Sequence, residues 1–243
     1  MDSISDINYQ IIGNDVQLVE IELGEGESVR AEPGSMIYMK DGIEMSTSTG
    51  KGLLDGLKRV FTSEDFFVTS FTHTGDGKSY VAFSAPFPGQ IAPIDLSSYS
   101  GSFLCQKASY LCSSTDVDID IAITKNIGAG LFGGEGFILQ KLSGNGSAFT
   151  HAGGTLIGRT LEPDESVRVK TGSVVGFSSE VNYNIKLVGG IKNTLFGKEG
   201  LFITELTGPG DIYLQSLPLS RFTDWISNEQ GRSSSSRSFE EEE

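Results

Sequence analysis

Leu131-Phe132-Gly133-Gly134-Glu135-Gly136, followed by Leu142, Gly144 and Gly146, returns 64 residues later as Leu195-Phe196-Gly197-Lys198-Glu199-Gly200, Leu206, Gly208 and Gly210. Eight identities in register over sixteen positions mark an internal repeat, and repetition at a fixed period decides the architecture before any single motif does. A second quotation supports it: Glu27-Ser28-Val29-Arg30 with Gly34-Ser35 recurs 138 residues on as Glu165-Ser166-Val167-Arg168 with Gly172-Ser173. A weaker middle copy runs from Phe103-Leu104 to Ser109, and a diverged first copy of the glycine segment is Phe61, Glu64-Asp65-Phe66-Phe67, Gly75 and Gly77.

Eight residues past each of Ser35, Ser109 and Ser173 an alternating stretch begins: Ile43, Met45, Thr47; Val117, Ile119, Ile121, Ile123; Val181, Tyr183, Ile185, Leu187. A period of two places the apolar members on one face of a sheet and Asp116, Asp118 and Asp120 on the other. Phe137-Ile138-Leu139 and Leu201-Phe202-Ile203 read as strands covered on both faces. The expectation is one compact all-β domain over residues 1–228, built from three repeats of about 16–90, 91–156 and 157–218 around a pseudo-threefold axis. Helix is confined to Gly52–Val60 and to a closing helix over 218–228, where Leu219, Phe222, Trp225 and Ile226 form a stripe. Residues 229–243, rich in Ser and Glu, read as a disordered tail.

Composition agrees. Of 243 residues 31 are glycine, which favours tight turns over helices. No apolar run approaches the roughly 18 to 20 residues of a transmembrane helix. Met1-Asp2-Ser3-Ile4-Ser5-Asp6 lacks the basic and apolar regions of a signal peptide, so a cytoplasmic location is expected. The net charge is −14, of which the tail carries −3, and so acidic a body disfavours nucleic acid and anionic lipid as partners. Cys105 and Cys112 have no metal-ligand spacing and read as reduced, buried thiols.

Val29-Arg30-Ala31-Glu32-Pro33-Gly34-Ser35-Met36 and Leu131 to Phe137 resemble the altered-inheritance-of-mitochondria family, over about residues 5 to 225. The resemblance implies a fold similar to the tryptophan RNA-binding attenuation protein and a homo-oligomer, a trimer being one size the repetition suggests. It implies no catalytic set, and its mitochondrial member suggests support of membrane-associated organisation. A stress-related role is a further association of the resemblance.

His73 and His151 are the two imidazole bases, each beside a glycine turn, and surface-loop positions are expected for both. No G-x-S-x-G elbow is present, so no catalytic residue is assigned. Gly128 to Gly133 spell G-x-G-x-x-G, but a strand rather than a helix follows, which removes the dipole a dinucleotide needs. Asp116, Asp118 and Asp120 stand about 6.6 to 7 Å apart per step along a strand, too far to share one ion. No cofactor and no metal are expected. Glu64, Glu135 and Glu199 occupy one position in the three copies and either accept backbone N–H groups of their turns or encircle the axis to meet a cation or a basic partner. Leu131, Phe132, Leu195 and Phe196 are either core or an exposed tip for a protein or membrane surface. The reading is a non-enzymatic, homo-oligomeric binding or scaffolding module. The alternatives are a ligand binder or enzyme with a pocket between repeats, and RNA binding through Lys125, Lys192 and Lys198.

Overall fold

The computed structural model describes residues 2–4, 7–49, 67–122, 137–188, 201–219 and 221. Among them no helix reaches seven residues and the chain is strand after strand. After β1 (Asp2–Ile4) and β2 (Ile7–Ile12) the strands fall into three consecutive runs of six. The first run is β3 (Leu18–Leu23), β4 (Ser28–Ala31), β5 (Met36–Met39), β6 (Ile43–Thr49), β7 (Phe67–His73) and β8 (Ser79–Phe83). The second is β9 (Gly89–Asp95), β10 (Ser102–Gln106), β11 (Tyr110–Ser114), β12 (Val117–Ala122), β13 (Leu139–Gly144) and β14 (Ser147–Gly153). The third is β15 (Leu156–Leu161), β16 (Ser166–Lys170), β17 (Val174–Ser178), β18 (Asn182–Val188), β19 (Leu201–Thr207) and β20 (Gly210–Gln215).

Within each run the sixth strand pairs with the first and third, and the fifth with the second and fourth, all antiparallel. Even the irregularity recurs. Register slips between Met36 and Tyr38, between Tyr110 and Cys112, and between Val174 and Gly176, always where the third strand meets the sixth. Two further pairings, β4 with β11 and β10 with β17, join half-sheets from successive runs. The results are two six-stranded sheets, β6-β7-β4-β11-β14-β9 and β12-β13-β10-β17-β20-β15, with a five-stranded sheet β1-β2-β3-β8-β5 and a three-stranded sheet β16-β19-β18 left over.

The Glu-Ser-Val-Arg quartet now has a physical account. Glu27 Oε2 accepts the Gly24 N–H at 2.7 Å and Glu165 Oε2 accepts the Glu162 N–H at 2.9 Å, so each glutamate satisfies a donor left over by its turn. Ser28 shares a hydrogen bond with Thr72 at 2.8 Å, and Ser166 with Thr207 at 2.7 Å, tying the second strand to the fifth. Val29 and Val167 turn to the core while Arg30 and Arg168 turn away, as period two requires.

Three apolar clusters fill the space between the sheets. The first packs Val19, Ile21, Val81 and Phe83 against Val29, Phe71 and Phe149; the second packs Ile94 and Ala148 against Phe103 and Leu142; the third packs Phe177 and Ile212 against Val181 and Leu206. Phe149 is wholly buried and meets Tyr9 edge-on at 5.0 Å. Each such side chain contributes about 1.5 to 3 kcal/mol by leaving water.

Burial departs from the alternation in two ways. The fourth strand of the first two runs starts inside and turns outward: Ile43 is 7% exposed but Met45 52%, and Val117 is 0% exposed but Ile121 40%. These are sheet-edge strands, and their far ends leave the shelter of the opposite sheet. The strands buried along their whole length are β11, β14 and β17, not the apolar runs at Phe137-Ile138-Leu139 and Leu201-Phe202-Ile203. Phe202 and Ile203 are half-buried in β19, the central strand of the three-stranded sheet. The expected helix at Gly52–Val60 and the tail beyond 228 lie outside the described residues, as does nearly all of the closing helix over 218–228.

Candidate functional site

Glu64, Glu135, Glu199, Leu131, Phe132, Leu195 and Phe196 all fall in the connections between the fourth and fifth strands, outside the described residues. The same holds for Lys125, Lys192, Lys198 and the G-x-G-x-x-G segment.

The two histidines are described, and neither sits on a surface loop. His73 ends β7 and His151 lies within β14, and each is 2% exposed. A Cβ on Gly75 would stand 3.2 Å from His73 Nε2, and one on Gly89 2.5 Å from His151 Nε2, so bare glycine backbone covers both rings. Phe87 meets the His151 ring edge-on at 4.7 Å. Burial pushes the His151 pKa down to about 4, leaving a neutral imidazole at pH 7. Neither Nδ1 has a hydrogen-bond partner among the described residues. Among the described residues no carboxylate therefore accepts from Nδ1 to orient either ring as a general base. Sequence misplaced both because the glycines beside them signal a turn; here Gly75 makes room for the His73 ring, and Gly89 of the neighbouring strand makes room for that of His151.

Cys105 and Cys112 are free and fully buried. Burial raises the Cys105 thiol to about 12 and Cys112 well above its usual value, so neither is a thiolate nucleophile. Asp116, Asp118 and Asp120 are exposed, and the first two border a shallow open depression with Thr115, Gly144 and Asn145. No cluster of three His, Cys, Asp or Glu suited to a metal ion occurs among the described residues. Glu32 is half-buried where β4 meets β11; burial raises its pKa, and nearby Lys107 opposes that shift.

A surface that the sequence did not single out is the edge of the five-stranded sheet that no strand among the described residues covers. Met36-Ile37-Tyr38-Met39 forms β5, with Ile37 55%, Tyr38 37% and Met39 37% exposed, and Tyr80 of β8 39% exposed beside them. Tyr38 and Tyr80 stack edge to face at 6.2 Å, and Lys40 Nζ lies 5.9 Å from the Tyr80 ring centroid. The Tyr38 hydroxyl donates to Glu20 Oε2 at 2.7 Å, and that carboxylate pushes its pKa up to about 12. In the matching strands of the other runs, Leu111 is 2% and Val175 0% exposed. The only textual signal was an apolar tetrapeptide after Pro33-Gly34-Ser35, which reads equally well as core.

The family described as "Mitochondrial biogenesis AIM24" matches residues 9–217, the stretch from β2 to the end of β20. The chain belongs to the AIM24 family. Among its relatives is an uncharacterised protein of Streptococcus pyogenes serotype M6, 31% identical over 213 residues that cover 84% of this chain and 83% of the relative. The crystal structure of another Streptococcus pyogenes protein superimposes with a TM-score of 0.72 at 24% identity, covering 92% of this chain and 99% of that one. That likeness shows a shared fold. No helix among the described residues is long and apolar enough to cross a membrane.

Proposed function

We propose that this AIM24 protein is a non-enzymatic, homo-oligomeric scaffold that presents repeated β-sheet surfaces to partners. The observation that carries the reading is the contrast between its two kinds of unusual residue. The chemically versatile groups, His151, Cys105 and Cys112, are buried and shifted away from reactivity, whereas an apolar sheet edge at Ile37, Tyr38 and Met39 faces outward. Exposed contiguous apolar surface is what association uses. The family description, which names a role in mitochondrial biogenesis rather than a reaction, supports an organising role for its members. Two free thiols suit a reducing compartment, which supports a cytoplasmic location as part of this reading. Light scattering coupled to size exclusion at micromolar concentration tests the core of the reading: a mass that is a multiple of 26.0 kDa is expected, and a clean 26.0 kDa monomer would refute it.

A further inference from the structure

Two sheet edges in this chain are halves of a junction that the chain makes twice elsewhere. We infer that β16 of one copy pairs with β5 of a second copy, repeating between molecules the joints β4–β11 and β10–β17. The inference rests on the oligomeric reading above and names the surfaces that would create it.

Register follows from the two joints already made. At the first, Val29, Arg30 and Ala31 face Ser114, Ser113 and Cys112. At the second, Phe103, Leu104 and Cys105 face Ser178, Phe177 and Gly176. Val29, Phe103 and Val167 correspond because they face Phe71, Leu142 and Leu206 on their fifth strands. Tyr38, Cys112 and Gly176 correspond because each follows the register slip and faces Ala82, Phe149 or Tyr213. A third joint in the same register sets Val167, Arg168 and Val169 against Lys40, Met39 and Tyr38.

The backbone is ready for it. Lys40 N–H donates to the Tyr80 carbonyl at 3.0 Å, so the amide of the preceding Met39 points to the free edge. Gly208 N–H donates to the Glu165 carbonyl at 2.9 Å, so Val167 and Val169 bond toward β19 and the Arg168 backbone faces outward. Arg168 and Met39 thus meet as a hydrogen-bonded antiparallel pair.

Side chains agree with the backbone. At the first joint the Arg30 guanidinium donates to the Thr115 carbonyl. Arg168 matches Arg30, and Asp41, two residues past Met39, matches Thr115, so the third joint sets a cation against an acidic residue. In the single chain Arg168 instead rests on Glu205 at 3.3 Å with its side chain 78% exposed. Among the described residues both edges also lack cover that their counterparts have. Val29 and Ala31 are fully buried and Val167 and Val169 only partly; β11 and β17 are buried throughout while β5 is not. The contact is heterologous, so each added copy leaves the same two edges free until a ring closes or a filament extends.

Cysteine pairing tests this in the full-length chain. Met39→Cys and Arg168→Cys are prepared as separate proteins and oxidised with copper phenanthroline, alone and mixed in equal amounts. The wild type, with its two buried thiols, serves as the control. The proposed pair stands about 5.5 Å apart between Cα atoms, within disulfide reach. A disulfide-linked dimer appearing only in the mixture is the expected result. Absence of the mixed dimer, or a dimer formed by either variant alone, would overturn the inference. A Met39→Cys/Arg168→Cys double variant that bridges within one chain would overturn it too. Independently, Arg168→Pro removes a donor that serves only the free edge, so the particle should fall to 26.0 kDa with its melting curve retained. Persistence of a larger mass in Arg168→Pro without the mixed disulfide would leave the scaffold standing and these edges refuted.

Discussion

Acidification should destabilise this protein through His151 by an amount the structure sets. The ring is 2% exposed and burial holds its pKa at about 4, against 6.5 in a solvated chain. Because the folded value is the lower one, the unfolded chain takes up a proton first. Stability is therefore intact above pH 6.5, lost as pH falls through that value, and lost no further below about 4. The shift corresponds to about 3.4 kcal/mol in full, of which about 2.4 kcal/mol falls between pH 7 and pH 4.5. Carboxylates titrate over the same interval, so the measurement is a difference. Urea unfolding of the wild type and of His151→Leu at pH 7, 6, 5 and 4.5 cancels every group the two proteins share. The wild type should lose about 2 kcal/mol more than the variant over that interval. Parallel losses in the two proteins would show that the buried imidazole finds a proton-stabilising partner, and the account of a neutral packing histidine would fall.

Ellman's reagent should find no reactive thiol in the native protein at pH 8 and two per chain in denaturant, since Cys105 and Cys112 are both fully buried. Rapid labelling of either in the folded state would contradict that packing. Gly89→Ala should lower stability by about 1 to 3 kcal/mol, because the added Cβ would overlap the Ala152 carbonyl oxygen and stand 2.5 Å from His151 Nε2; thermal unfolding reads it directly. Tyr213→Phe removes the hydroxyl that lies 2.9 Å from that of Tyr99, a tie between the second and third runs, and should cost about 1 kcal/mol in urea unfolding.

Strand content was legible in the chain because strand patterning is local. Val19, Ile21 and Leu23 alternate with Glu20 and Glu22, and the buried and half-buried faces follow that alternation residue by residue. Leu142 and Leu206, 64 residues apart, each face a residue on the second strand of their own run, Phe103 and Val167. Burial of whole strands was not legible. Ser147-Ala148-Phe149-Thr150-His151-Ala152-Gly153 carries no hydrophobic signature, yet every residue is buried, because a strand with sheets on both sides and partners on both edges is sheltered whatever its side chains. The candidate site behaved likewise: seven named residues fall outside the described part, and the surface that argues for function, β5, hides in an apolar tetrapeptide.

What the amino-acid order alone determined is that this chain forms strands, turns at its glycines and says the same thing more than once. Only the tertiary structure decided which of these apolar strands has a neighbour on one side alone among the described residues. Met36-Ile37-Tyr38-Met39 and Tyr110-Leu111-Cys112-Ser113 occupy matching places, but β11 is covered by β4 across some eighty residues of chain and β5 by nothing in the described molecule. Whether an apolar strand is core or contact surface depends on a partner distant in sequence, and no local pattern carries that information.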